Sequence, residues 1–155
     1  MQRFYVAPNF IAPAPFAFTH TGDLQDANGV TVRGYNSTDE ANTIIYTATF
    51  PLTAQKHGDA RPVDILKWHV QGLKAPYVSP ALELLHETTV SGNPAVTWNI
   101  RYELPGYPGV KWTKYGVVIM KDQKIYQWAV TGVDGISRGD ISAIFLANLR
   151  YVELR

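Results

Sequence analysis

The chain has 155 residues, 46% hydrophobic and 17% charged, a composition that supports one folded domain with a real core and excludes a disordered chain. A formal net charge of +1 gives no general attraction to nucleic acid or to an anionic membrane. The absence of cysteine excludes disulfides, thiolate metal sites and a cysteine nucleophile, and no apolar run approaches the roughly 20 residues of a membrane span.

Residues 1–15 carry prolines at positions 8, 13 and 15 and are expected to form a loosely packed N-terminal arm, tied down by Phe4, Tyr5, Phe10 and Ile11. No charged region followed by an apolar one opens the chain, so no intact signal peptide is expected. A short strand is expected over Phe16–His20, a polar turn over Gly22–Gly29 and a strand over Val30–Tyr35. The run Asn42–Leu52 (NTIIYTATFPL) is the strongest strand signal of the first half. Gly58–Ala75 reads as a helix capped by Asp59, with Pro62 in its first turn. Its buried stripe is Ile65, Leu66, His69, Val70 and Leu73. Pro80–Val90 is ambiguous between a helical turn and a strand.

The stretch from Ala95 to Gly132 then supplies three strand-length runs. In the first, Val96, Trp98, Ile100, Tyr102 and Leu104 share one face, while Thr97, Asn99 and Arg101 share the other. The second, Val110–Met120, ends in Val117-Val118-Ile119-Met120, apolar on both faces as in a covered central strand. The third is Ile125–Thr131. The joining loops are Pro105-Gly106-Tyr107-Pro108-Gly109 and Lys121-Asp122-Gln123-Lys124. A last helix is expected from Gly139 or Asp140 to Leu149, with Ser137 and Asp140 resembling a capping box, and a final strand over Tyr151–Leu154. Trp98, Ile100, Val118, Trp128, Val130, Ile144 and Phe145 are the expected core.

This order, together with Thr88–Ala95, Lys124–Gly132 and Ala143–Arg150, resembles the PsbP-like family, which includes the photosystem II extrinsic protein, the Ran-binding Mog protein and bacterial envelope lipoproteins. The resemblance implies a single domain over residues 1–155 of α+β class. It would be an α/β/α sandwich with a central antiparallel sheet, a C-terminal three-strand meander and two main helices. It also implies a binding or assembly role without catalysis, and it favours a periplasmic or secreted mature form, with a cytoplasmic location as the alternative.

The residues themselves point the same way. His20, His57, His69 and His86 have no spacing that would put two metal ligands on one helix face. No G-x-S-x-G, Walker or dinucleotide motif is present, so no catalytic residue, metal or cofactor is assigned. Basic and aromatic residues do interleave at Arg101, Lys111, Trp112, Lys114 and Tyr115, but the near-zero charge argues against nucleic acid. Tyr107 sits on a proline-stiffened loop, where an aromatic has little structural reason to stand. The expected binding residues are therefore Tyr107, Trp112, Lys114, Tyr115 and Arg101, facing a protein partner or a small ligand. Strand alternation sets Trp112 and Lys114 on the face opposite Tyr115. The alternative is a small hydrolase or isomerase-like enzyme, with His69 and a carboxylate in a cleft between sheet and first helix.

Overall fold

The computed structural model describes residues 1–26, 28–135 and 140–155. In chain order the elements are β1 (Gln2–Ala7), β2 (Phe10–Ala14), β3 (Thr19–Gln25), β4 (Thr31–Thr38) and β5 (Ile44–Pro51), then α1 (Pro62–Gly72). There follow β6 (Val78–Val90), β7 (Asn93–Glu103), β8 (Trp112–Lys121), β9 (Lys124–Val133), α2 (Ile141–Asn148), a 3-10 turn (Leu149–Tyr151) and β10 (Glu153–Leu154). The class is α+β, a mostly antiparallel sheet structure with two short helices.

Seven strands form one antiparallel sheet in the order β3-β4-β5-β9-β8-β7-β6. Three more form a small sheet, β1-β2-β10. Cross-strand pairs share a face, so the register sorts the side chains. Trp98 lies opposite Gly116 and Gly116 opposite Ala129, and that face receives α1. Val117 lies opposite Trp128 and Trp128 opposite Ala48, and that face receives α2 and the small sheet. Two hydrophobic clusters result, one on each side of the large sheet.

Phe145 of α2 is fully buried and stacks on Trp128, ring centroids 5.4 Å apart. The Trp128 indole N–H donates to the carbonyl of Pro13 at 3.0 Å, tying the large sheet to the small one. On the other face, the Trp98 ring lies against the backbone of Gly116. A Cβ there would come within 2.3 Å of Trp98 Cζ2, so only glycine fits.

Several expectations change. Residues 1–15 are no loose arm: β1 and β2 form a hairpin, and every residue of β2 is buried. The prolines misled because they suggested an unpaired chain. β10 pairs only with Phe10 and Ile11, which leaves Pro13 where one edge of β2 is open and a missing N–H is tolerated. The strand β3 runs on to Gln25, through part of the expected turn. Helix α1 starts later than expected: Arg61, not Asp59, is the N-cap residue, no side chain caps the helix, and the Arg61–Asp64 ion pair at 3.0 Å braces the first turn. Pro80–Val90 lies in a strand throughout, with register shifts near Ala81 and between Leu82 and Leu84. Asp140 itself caps α2, accepting from the backbone N–H of Ser142 at 2.9 Å and of Ala143 at 3.4 Å; Ser137 lies outside the described residues. Of the expected core, Trp98, Ile100, Val118, Trp128, Val130 and Phe145 are wholly buried, and Ile144 is half-buried.

Candidate functional site

Helix α1 has 11 residues, so it is roughly 16 Å long. It packs on β6, β7 and β8. Neighbouring strands lie about 4.8 Å apart, so a seven-stranded sheet is far wider than one helix. The part of this face made by β3, β4, β5 and β9 therefore has no helix over it. A cavity of about 1100 Å³ fills the gap between that part of the sheet and the flank of α1. Its walls include Val32, Ile65, Leu73 and Ile125, and Leu24 and Trp68 stand at its opening, 76% and 65% exposed. Half of the lining residues carry polar side chains, among them Thr47, Thr49, Gln127, Asp26, His57, His69 and Lys114, while most of the exposed wall area is apolar.

The Lys114 side chain is half-buried, its Nζ 6.0 Å from the centre of the Trp98 ring. Arg33 pairs with Asp23 and Lys67 with Glu87, whereas Lys56, Lys74, Lys121, Lys124 and Arg150 form no ion pair among the described residues. Among the described residues no carboxylate pairs with Lys114. Thr47 lies on the same sheet face, and its buried hydroxyl has no hydrogen-bond partner. His69 borders the cavity from the helix side. Burial holds its imidazole below the ordinary histidine range; Asp26 opposes this shift and His57 adds to it. Among the described residues none hydrogen-bonds to its ring. Asp26 accepts from the N–H groups of Asn28 and Val30 at 2.9 and 3.0 Å, and so is committed to its own turn.

The five residues expected to bind do not form one surface. Lys114 lines the cavity. Trp112 is half-buried on the same face, closing a stack of Tyr77, Tyr102 and Trp112 with centroids 3.8 and 6.4 Å apart, and its buried indole N–H has no partner. Burial, reinforced by the Tyr77 phenol, pushes the Tyr102 hydroxyl well above its ordinary range. Arg101 and Tyr115 are on the opposite face. Arg101 pairs with Asp134, which also accepts from Thr113 at 3.1 Å, and the Tyr115 ring lies 5.9 Å from Phe145. Both border a recess of about 380 Å³ beside Asp140. Tyr107 is 63% exposed on a loop fixed by its own hydrogen bonds, Tyr107 N–H to Leu104 at 3.1 Å and Gly109 N–H to Glu103 at 2.8 Å.

The cleft itself and His69 were legible in the sequence as the alternative reading. Thr47, Gln127 and Trp68 were not singled out. One signal for Trp68 was available: it lies off the buried stripe of its helix, and a tryptophan on the wet side of an amphipathic helix asks for a reason.

No family model and no curated protein matches this chain. The fold is similar to that of PA94 from Pseudomonas aeruginosa, a protein of unknown function for which a regulatory role has been suggested. That crystal structure is 11% identical, with a TM-score of 0.57, over 89% of this chain and 97% of the other. At that identity the likeness concerns the fold alone. No helix of the described residues is long and apolar enough to cross a membrane.

Proposed function

We propose that the protein is a non-catalytic binding module whose ligand is a small molecule held between α1 and the open part of the sheet. The observation that carries this is the 1100 Å³ cavity with mainly apolar walls. Small-molecule sites are typically concavities of about 300–1,000 Å³ with a few convergent polar groups. Catalysis needs a second group to orient the first, and His69 has none among the described residues, which weighs against the hydrolase or isomerase reading. The PsbP-like resemblance belongs to the same proposal, since it too implies binding without chemistry.

The test is amide shift mapping by NMR with an apolar fluorophore such as N-phenyl-1-naphthylamine. Shifts confined to α1, β3, β4, β5, β9 and the part of β8 around Lys114 are the expected outcome. Shifts on α2 or on the loop 104–111, or none at all, would overturn the proposal.

A protein partner engaged through Tyr107 is the second reading, favoured by one observation: a 63% exposed aromatic on a loop held by its own hydrogen bonds. Capture of a defined partner that survives Tyr107→Ala would exclude it.

A further inference from the structure

The cavity lining mixes polar and apolar side chains, and the place of its lysine carries information about the ligand's chemistry. The sheet register puts Lys114 beside Thr131, in the row next to that of Gly116, Ala129 and Thr47. Gln127 lies one row further along β9. Lys114, the one lysine or arginine among the described lining residues, therefore stands on the β8-β9-β5 part of the floor. Val32, Ile125, Leu24 and Trp68 supply apolar surface elsewhere in the lining, the last two exposed to solvent, among polar side chains such as Thr21, Asn36 and Gln55.

Among the described residues Lys114 has no carboxylate partner and the Thr47 hydroxyl no hydrogen-bond partner. A half-buried cation without a counter-charge is costly, and a buried hydroxyl without a hydrogen bond is costly too. Asp26 is the one carboxylate among the described residues lining the cavity, and its own turn already uses it. The Trp98 face supports the Lys114 charge only in part, because a cation–π contact is weaker than an ion pair with hydrogen bonds.

From these observations we infer that the cavity takes an amphipathic anion: a body of hydrocarbon or aromatic character and one anionic head group, with Lys114 as its counter-charge. The inference rests on the cavity reading above and names the class of ligand. A single lysine matches a single negative charge such as a carboxylate or sulfonate. The exposed Leu24 and Trp68 flank the path by which the apolar body enters.

The test uses a matched pair of probes that share one ring system, N-phenyl-1-naphthylamine (neutral) and 1-anilinonaphthalene-8-sulfonate (anionic), with decanoate and decanol as displacing ligands. In the unaltered protein, decanoate displaces N-phenyl-1-naphthylamine at a concentration about 10- to 100-fold lower than decanol, the ratio that one charge-assisted hydrogen bond supplies. Lys114→Met abolishes that ratio and weakens the sulfonate probe while the neutral probe still binds; Lys114→Arg keeps it. Lys114→Gln, which retains a polar end, serves where the methionine variant does not unfold cooperatively, and the same loss of the ratio is expected. An acyl body and an aromatic one are told apart by running 1-naphthylacetate beside decanoate. If the neutral probe binds in the cavity but decanoate and decanol displace it equally, the anion inference is wrong and the cavity reading stands. If neither probe binds, both fall.

Discussion

The two faces of the large sheet are covered by different means. On one, α2 and the buried strand β2 close over Trp128, Val130 and Ala48, all fully buried. On the other, α1 covers the β6–β8 part and leaves the remainder to a cavity. The strand β5 records the difference residue by residue. Ile44, Tyr46 and Ala48 point to the closed face and are at most 3% exposed. Ile45, Thr47 and Thr49 point to the other and are only half-buried. A threonine on a strand tolerates both burial and water, so it suits a wall that is wet until a ligand arrives. One strand thus carries a structural face and a receptive face, and the same change of residue should have unequal effects on the two.

The largest effect is expected on the closed face. Phe145→Ala should cost about 3–5 kcal/mol in chemical denaturation, because the ring is fully enclosed and stacked on Trp128. A cost below about 1 kcal/mol would mean this face is not sealed.

Gly116→Ala tests where α1's side is tightest. The added methyl meets Trp98 at 2.3 Å, so the ring must move, at a cost of about 1–3 kcal/mol. Displacement of Trp98 should also disturb Lys114, and the near-ultraviolet circular dichroism of the variant should report the ring's new setting.

Val32→Ala sharpens the contrast. It removes methyl groups that border existing space, so it creates little new void. Its cost in the same denaturation experiment should be about 1 kcal/mol or less. A loss as large as that of Phe145→Ala would show that the β4 wall is packed and the cavity closed in solution.

The smallest effect is local and depends on pH. Hydrogen bonds from Arg33 first, and His20 second, hold the Asp23 carboxyl down at about 2. Its folded pKa is depressed, so the stabilisation is present above the unfolded value of about 4 and is lost as pH falls from there toward 2. The protection factors of the β3 amides, with the intrinsic pH dependence of exchange divided out, should fall over that window, and Asp23→Asn should remove the fall. Unchanged protection factors in β3 between pH 4 and 2 would contradict it.

How much of this was legible follows from where each feature's contacts lie in the chain. Trp98, Ile100, Trp128 and Val130 are buried as the alternation of β7 and β9 predicts, but Thr97, Asn99, Gln127 and Thr131 on the opposite faces are buried too, because central strands covered on both sides have no wet face. The hairpin β1-β2 was not legible because its partners come from far away: Trp128 and Leu154 are more than 100 residues distant from Pro13 and Phe10. Asp140 as cap could be suspected, but its partner Ser142 follows it where a preceding Ser137 had been favoured. Lys114 and His69 were both singled out, for different purposes. Neither residue's neighbourhood could be read from spacing, because the cavity they share depends on how far a helix falls short of a sheet's edge.

The pairing of β10 with β2 has a consequence for how the molecule is made. Arg155 N–H donates to Asn9 at 2.8 Å, Asn93 donates to Leu154 at 3.2 Å, and Val152 and Leu154 are buried among residues from the first strands. Contacts of such sequence separation slow folding, because a long loop must close before they stabilise anything. During synthesis the hairpin β1-β2 emerges well before residues 152–154, for which it must wait before its sheet is complete. At about 5–20 residues per second, translation imposes a delay of several seconds or more between the two events. Through that interval Phe10 and the residues around Trp128 lack part of their cover, so the nascent chain is more exposed to self-association until residues 152–154 are added.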